Sequence, residues 1–231
     1  MNNRIMVITD SVSMPRPGIP YEDTWLYLLK KEFPGFDILD RPVRGGNSRR
    51  LVTEGGRGQD LLETYRPDIV IIQMGITECA PRLFNKRGIE YVLVQKLPDG
   101  MRKKYIEKVQ RTRKRNPAVT DVSPWEFKAN LCEYCSRAEQ CLVDVVIILI
   151  CQPTDQFVCR SPHIRKNIDL YNHIYREVAD SFDNVTVLSP FEDIDINSVS
   201  IDPFHINAEG MRMIFDALRP VIEAKIARKA V

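Results

Sequence analysis

Short apolar runs alternate with longer amphipathic stretches along most of this chain. The runs within residues 68–74 and 144–151 are almost continuously apolar, which is typical of strands buried on both faces of a sheet. The pattern predicts five strands, at residues 4–9, 36–42, 68–74, 144–151 and 185–188. It predicts helices at residues 21–32, 59–65, 124–142, 164–182 and 207–227. This alternation indicates an α/β fold with a parallel sheet and right-handed crossovers.

Residues 82–120 interrupt this alternation between the third predicted strand and the helix at 124–142. Within them, residues 102–115 include eight basic side chains and one acidic side chain. We interpret the segment as a basic, helical insertion over the active edge of a single domain spanning residues 1–231, because 39 residues make a thin core of their own. The basic run is interpreted as a solvated face, with an acidic glycan or a nucleic acid as the alternative ligand.

Composition narrows the class of protein. The formal net charge of +2 gives no reason to expect a nucleic-acid partner, and 44% hydrophobic residues fit a globular protein. No signal peptide is visible at the start, and the longest apolar runs are far too short to span a bilayer. We therefore expect a cytoplasmic protein with no membrane partner and with its six cysteines reduced. The oligomeric state stays open.

Candidate chemistry lies near the two ends of the chain. Ser11 directly follows the first predicted strand, and Asp202 precedes His205 by three residues. A serine hydroxyl is a poor nucleophile until a base accepts its proton and a carboxylate orients that base. Ligands of parallel sheets bind at the carboxyl ends of the strands, where Ser11 and Gly75 both fall. If folding joins these ends, the sequence predicts a Ser-His-Asp hydrolase.

Four short blocks carry a family resemblance in the family's own order. They are residues 9–13 (Thr-Asp-Ser-Val-Ser), 44–48 (Arg-Gly-Gly-Asn-Ser), 75–78 (Gly-Ile-Thr-Glu) and 202–205 (Asp-Pro-Phe-His). With these blocks the chain resembles the SGNH hydrolases, also called GDSL-like esterases. The resemblance implies a flavodoxin-like three-layer α/β/α sandwich with a five-stranded parallel sheet, and an activity that hydrolyses oxygen esters through an acyl-enzyme.

The resemblance also implies donors for the oxyanion of the reaction. These are the backbone N–H groups of Ser11 and Gly46 and, in the family, an asparagine amide in the third block. Here Thr77 occupies the asparagine position, so its shorter hydroxyl, Asn47 or a backbone group would have to serve as the third donor. Thr9 likewise stands where the family usually has glycine. These departures keep a non-catalytic glycan-binding protein open as an alternative, and the same triad would also suit an O-acyltransferase.

One short segment after the third block indicates a class of substrate. Residues 79–82, Cys-Ala-Pro-Arg, resemble members of the family encoded with bacterial surface-polysaccharide genes. We therefore expect a small-molecule or carbohydrate ester as substrate, with O-acetyl groups on a sugar or polysaccharide-related compound. Arg82 either binds such a substrate at the mouth of the cleft or pairs with Glu78.

The cysteines suggest one competing type of site. Cys132 and Cys135, with Cys141 downstream, have the spacing of part of a zinc site, but the second pair of ligands is incomplete. Buried cysteines acting as small apolar residues are the better interpretation. Cys79 is set aside as a nucleophile because Ser11 is available. We expect neither a metal nor an organic cofactor.

Overall fold

A parallel sheet forms the centre of the computed structural model, which describes residues 3–55, 57–86, 88–113 and 116–230. Its five strands follow the order β2-β1-β3-β4-β5. They are β1 (Arg4–Thr9), β2 (Asp37–Pro42), β3 (Ile69–Gln73), β4 (Asp144–Ile148) and β5 (Val185–Leu188). Strands β3 and β4 are buried along their whole length, because helices cover both faces of the sheet. The predicted five-stranded parallel sheet is confirmed.

Helices form the two outer layers. In chain order the helices are α1 (Trp25–Glu32), α2 (Ile76–Cys79), α3 (Ile89–Gln95), α4 (Asp99–Thr112), α5 (Pro124–Gln140), α6 (Asp155–Arg160), α7 (Ile164–Ala179) and α8 (Ala208–Ala230). Helices α5 and α7 pack against each other and cover one face, around Phe127, Tyr134 and Tyr171. Helices α1 and α8 cover the opposite face, around Trp25 and Phe215. The three layers give an α/β/α sandwich.

Several predicted elements differ from the structure: α1, for example, begins at Trp25 and not at residue 21, because Thr24 caps it. Residues 59–65 form a 3₁₀ turn at Gly58–Leu61 followed by further turns, because Leu62 leaves the helical region with φ −147° and ψ −80°. Strand β4 ends at Ile148 instead of continuing to residue 151. Beyond it, the Asn172 side chain bonds both the N–H and the carbonyl of Ile150, at 2.9 and 2.8 Å, and so replaces a strand partner.

The segment predicted as an insertion contains α3 and α4, which contact each other. Arg113 secures the end of α4, since its guanidinium donates two hydrogen bonds of 2.8 Å to Glu90 of α3. Lys114 and Arg115 of the basic run lie outside the described residues. In the part of the chain that the structure describes, no helix is long and apolar enough to cross a membrane.

Candidate active site

Ser11 lies at the carboxyl edge of the sheet. Strand β1 ends at Thr9, and a 3₁₀ turn spanning Ser11–Ser13 begins two residues later. The buried Asp10 between them accepts the Val12 N–H at 2.9 Å. This cap starts the turn directly after the strand, because it pairs an N–H that has no partner inside the turn. The Ser11 hydroxyl is therefore presented at the strand end and not along the strand.

His205 and Asp202 lie in the loop that precedes α8. Oδ1 of Asp202 accepts the backbone N–H groups of Phe204 and His205, at 2.8 and 2.9 Å, so the carboxylate itself shapes this loop. Its Oδ2 lies 2.8 Å from the ring Nδ1 of His205. Since an ionised carboxylate only accepts hydrogen bonds, Nδ1 carries the proton and Nε2 is left as an acceptor.

Folding joins the two ends of the chain at this point. Ser11 Oγ lies 3.2 Å from His205 Nε2, although 194 positions separate the two residues. The hydroxyl donates to Nε2, and the imidazole in turn donates to Asp202. The structure thus brings together all three residues that the sequence proposes as catalytic, in the order hydroxyl, imidazole, carboxylate.

Arg16 is a member of the site that sequence reasoning missed. Its side chain is only 10% exposed and lies 4.0 Å from Asp202 Oδ2. The guanidinium donates to the carbonyl of Ser11 and, at 3.3 Å, to that of Met14. Arg16 therefore holds the serine turn against the loop of Asp202. The only hint in the sequence is its position between two prolines shortly after Ser11.

The electrostatic environment adjusts both members of the acid–base pair. Burial, opposed by Asp202 and reinforced by the positive charges of Arg16 and Arg44, lowers the pKa of His205 below its ordinary value of 6.5. Burial raises the pKa of Asp202, but hydrogen bonds from the Phe204 N–H and from His205 outweigh it, so the pKa is lowered overall. At neutral pH the arrangement therefore holds a neutral imidazole against an ionised carboxylate.

The loop after β2 provides different donors from those expected. The Gly46 N–H donates to Val43 O at 2.8 Å, so it is engaged within the loop instead of facing the cleft. A Cβ at position 46 would lie 2.9 Å from the same oxygen, which explains why glycine stands there. Asn47 Oδ1 accepts the Arg49 N–H at 3.2 Å, and the amide nitrogen of Asn47 remains a donor.

Two buried carboxyl groups support these loops from below. Glu78 of α2 is wholly buried and accepts the Ser48 N–H, while Asn130 of α5 donates to Ser48 Oγ at 2.9 Å. Burial raises the pKa of Glu78 to about 8 and that of Asp10 to about 6. Glu78 is therefore mostly protonated at neutral pH, and it links the loop after β2 to the loop after β3.

Gly75 and Thr77 lie where β3 gives way to α2. Gly75 has a φ of 124°, and a Cβ on it would lie 2.5 Å from Ile150 Cδ1, so both backbone and packing require glycine. Thr77 is half-buried in α2 and is absent from the lining of the cavity beside His205. The position matches the family's third block, but Thr77 does not contribute its hydroxyl to that cavity's lining.

Arg82 does not pair with Glu78, which is buried and bonded to Ser48 instead. Its guanidinium lies 2.8 Å from Asp121 Oδ2 and 2.5 Å from Thr77 O. The Asp121 side chain is 5% exposed, so this ion pair fastens the start of the 82–120 segment to the loop before α5.

A small apolar cavity lies beside the imidazole. It has a volume of about 40 Å³ and lies where β3 and β4 end, under the loop that precedes α8. His205, Asp10 and Val12 border it, and its apolar wall includes Ile76, Ile150, Pro153, Phe157, Ile196 and Phe204. A space of this size holds a few atoms next to the Ser11 turn.

No protein-family model matches the sequence, and a comparison with curated proteins gives no match. Comparison with solved structures does give matches over nearly the whole chain. A GDSL-like lipase from Bacteroides thetaiotaomicron superposes with a TM-score of 0.61 at 12% identity, covering 96% of this chain and 89% of that one. The psychrotrophic esterase EstA from Pseudoalteromonas sp., in a structure of the enzyme inhibited by monoethylphosphonate, superposes with a TM-score of 0.56 at 17% identity. The match covers 97% of this chain and 99% of that one.

A third similar structure is a catalytic mutant of Axe2, an acetylxylan esterase from Geobacillus stearothermophilus. It gives a TM-score of 0.59 at 15% identity, covering 94% of this chain and 92% of that chain. These identities are low, so the likeness concerns the fold. The chain has the α/β/α fold of these esterases, and the case for its chemistry rests on the geometry of Ser11, His205 and Asp202.

Proposed function

We propose that this protein is a serine esterase. The observation that carries the proposal is the continuous chain from Ser11 Oγ to His205 Nε2, at 3.2 Å, and from His205 Nδ1 to Asp202 Oδ2, at 2.8 Å. A serine that only capped a turn, and a histidine that only capped a helix, would not need this alignment with a carboxylate behind them. The fold shared with known esterases supports the same conclusion.

The proposed reaction has two halves. Ser11 Oγ attacks the ester carbonyl while its proton passes to His205 Nε2, and the tetrahedral intermediate collapses as the C–O bond to the alcohol breaks. His205 gives its proton to the departing alcohol. Water then attacks the acyl-enzyme, gives its proton to His205, and releases the acid as the proton returns to Ser11. Asp202 stabilises the imidazolium in both halves.

The oxyanion requires donors near Ser11. The Ser11 N–H at the start of its turn and the amide nitrogen of Asn47 are the donors that we assign to it. Gly46, whose N–H is engaged by Val43, would contribute only if the loop after β2 moved. Removing one such donor typically lowers kcat about 10²–10³-fold.

For the substrate we propose a short acyl group, most simply acetyl, on a sugar hydroxyl. The cavity beside His205 is apolar and small, about 40 Å³, which suits a methyl group better than a long chain. One of the similar structures is an acetylxylan esterase, which acts on this kind of bond. Localisation in the cytoplasm and a link to surface polysaccharides remain proposals drawn from the sequence.

Labelling with a fluorophosphonate tests the nucleophile. We expect one adduct on the Ser11 peptide, found by mass spectrometry, and acetate release from p-nitrophenyl acetate. Ser11→Ala should abolish labelling and lower kcat by at least about 10³-fold. Ser13→Ala is the matched control and should still be labelled, because the Ser13 hydroxyl bonds Thr9 Oγ1 at 2.6 Å and not the imidazole.

Other outcomes would identify the alternatives. A wild-type protein that stays unlabelled and releases no acetate contradicts the esterase and supports a glycan-binding protein. Labelling at Ser11 with acetyl transfer to added sugars, in preference to water, identifies an acyltransferase with the same acyl-enzyme.

A further inference from the structure

A wide groove lies beside the carboxyl end of β2, the edge strand of the sheet. It has a volume of about 800 Å³, and the loop that follows β2 contributes Gly46 and Asn47 to its lining. Tyr65 lines it as well. Four arginines and a single carboxylate, that of Asp60, are among the residues that line it.

Two of these arginines are committed to the fold. Arg49 forms a bidentate ion pair with Glu126 of α5, at 2.5 and 2.9 Å. Arg50 donates to the carbonyls of Thr9 and Arg41, at 3.0 and 2.8 Å, and so ties the groove wall to the ends of β1 and β2. These contacts within the fold account for the positions of Arg49 and Arg50, so neither side chain is evidence for a ligand.

The other two arginines are not neutralised in this way. Within the described residues, neither Arg41 nor Arg57 has a carboxylate at ion-pair distance. The Arg41 guanidinium lies 4.8 Å from the centre of the Tyr65 ring and donates to Asp40 O at 3.0 Å. Arg57 is exposed. Stacking on tyrosine orients a guanidinium and leaves donors on its edge for an anion.

The groove leads towards the triad. The loop after β2 is bonded to the end of β1, since the Val43 N–H donates to Thr9 O at 3.0 Å, and Ser11 follows Thr9 by two residues. Adjacent strands lie about 4.8 Å apart, so the mouth of the groove is one strand spacing from the Ser11 strand. The exposed Arg44 stands at this mouth, and its charge reaches the imidazole, where it lowers the pKa of His205.

We propose that this groove binds an anionic group on the alcohol side of the ester, so that the substrate is an acylated acidic carbohydrate. The inference rests on the proposed esterase function and names its substrate class. Arg41 and Arg57 would bind carboxylate or phosphate oxygens, while the sugar passes the loop after β2 and its acyl ester reaches Ser11. The shared requirement is an anionic oxygen, which guanidinium groups bind in bidentate geometry.

Binding to the Ser11→Ala protein tests this independently of turnover. Titration calorimetry would compare trigalacturonate with the same oligosaccharide after its carboxylates are converted to amides. We expect the acid to bind at least about tenfold more tightly than the amide at low salt, with the advantage shrinking as salt screens the charges. Galactose 6-phosphate against galactose, in parallel, shows whether phosphate is preferred to carboxylate.

Variants locate the binding. Arg41→Gln and Arg57→Gln should each weaken trigalacturonate binding about five- to tenfold and leave the amide unaffected. Arg219→Gln is the control, because Arg219 is exposed on α8, which packs on the opposite face of the sheet. Arg57 is exposed, so its variant folds, and circular dichroism checks Arg41→Gln.

Equal affinity for the acid and the amide, or an acid preference that survives the double variant R41Q/R57Q, would overturn the groove proposal. Acetate release from p-nitrophenyl acetate with no acid preference would leave the esterase standing and remove the acidic substrate. Acid binding at this groove in a wild-type protein that hydrolyses no ester would support the anion-binding groove and contradict the esterase function.

Discussion

His205 is controlled by neighbours from three separate loops. Asp202 stabilises its charged form, whereas burial, Arg16 and Arg44 oppose that form, and the opposing effects prevail. A base must be neutral to accept the Ser11 proton, so a lowered pKa extends activity towards lower pH. The same residue pattern without the two arginines would give a base that protonates nearer its ordinary value.

The pH dependence of kcat/KM on p-nitrophenyl acetate follows directly. Activity should fall as pH decreases through the pKa of His205, with its midpoint below the ordinary 6.5. Arg44→Gln should move this midpoint to higher pH by about 0.3, because it removes a positive charge that disfavours the imidazolium. A wild-type midpoint at or above 6.5 would contradict the assignment.

A second group titrates in the same range and needs its own control. Burial raises the pKa of Asp10 to about 6, directly beneath the Ser11 turn. Asp10→Asn keeps an oxygen that accepts the Val12 N–H but cannot ionise. If His205 causes the acid limb, the limb should persist in this variant, whereas its disappearance would assign the limb to Asp10.

At the scale of elements, the site is assembled from the ends of neighbouring strands and kept in place by side chains from helices. Glu78 of α2 bonds the loop after β2 through Ser48, and Asn130 of α5 bonds the same residue. Asn172 of α7 bonds Ile150 beyond the end of β4, where the chain borders the apolar cavity. These loops therefore depend on buried polar contacts with the helical layer.

Glu78 makes stability depend on pH. Its pKa is about 8 in the folded state against an ordinary 4.5, so between these values the folded protein holds a proton that the unfolded chain has released. Stability from this group is therefore lost as pH rises from about 4.5 to about 8. Glu78→Gln, which stays neutral and keeps the acceptor for Ser48, should become progressively more stable than the wild type over that range.

Urea unfolding at pH 5, 7 and 9 measures this difference. The exposed Glu139→Gln on α5 provides the control and should follow the wild type at every pH. Parallel stability profiles for Glu78→Gln and the wild type would show that Glu78 ionises normally in the folded protein.

At the scale of the whole molecule, the two ends of the sheet have different roles, one in the candidate active site and the other in stability. The site occupies the carboxyl edge, and the amino edge carries a buried ion cluster. Asp144, at the start of β4, is 1% exposed and lies 3.2 Å from Lys225 and 3.3 Å from Lys229 of α8, with Arg228 also bonded to it. Because α8 begins three residues after His205, this cluster anchors the far end of the helix that follows the catalytic loop.

Asp144→Ala should separate stability from activity. It leaves Lys225 largely buried without its partner, so the free energy of unfolding should fall by about 3 kcal/mol. Turnover of p-nitrophenyl acetate per folded molecule should stay within about twofold, since the site lies at the other end of the sheet. Asp216→Ala, an exposed change on α8, should alter neither quantity. Unchanged urea unfolding of Asp144→Ala would exclude a stabilising role for the cluster.

The strands themselves could be predicted from the sequence because each strand's environment is encoded locally. Strands β3 and β4 must be apolar throughout to be buried on both faces, and that composition is visible in one short window. Residues 59–65 were predicted wrongly as a helix because a local apolar pattern does not record the backbone conformation of each residue. Apolar spacing alone does not reveal that Leu62 leaves the helical region and ends the turn after Leu61.

The sequence by itself determined the candidate nucleophile at a strand end, and the pairing of Asp202 with His205, which lie three residues apart in one loop. Only the tertiary structure decided that Ser11 meets His205, that Val43 engages the Gly46 N–H, and that Arg82 pairs with Asp121. Contacts within one loop depend on neighbouring residues, so short patterns predict them. Contacts between distant segments depend on which loops the sheet order places side by side, and no short pattern contains that order.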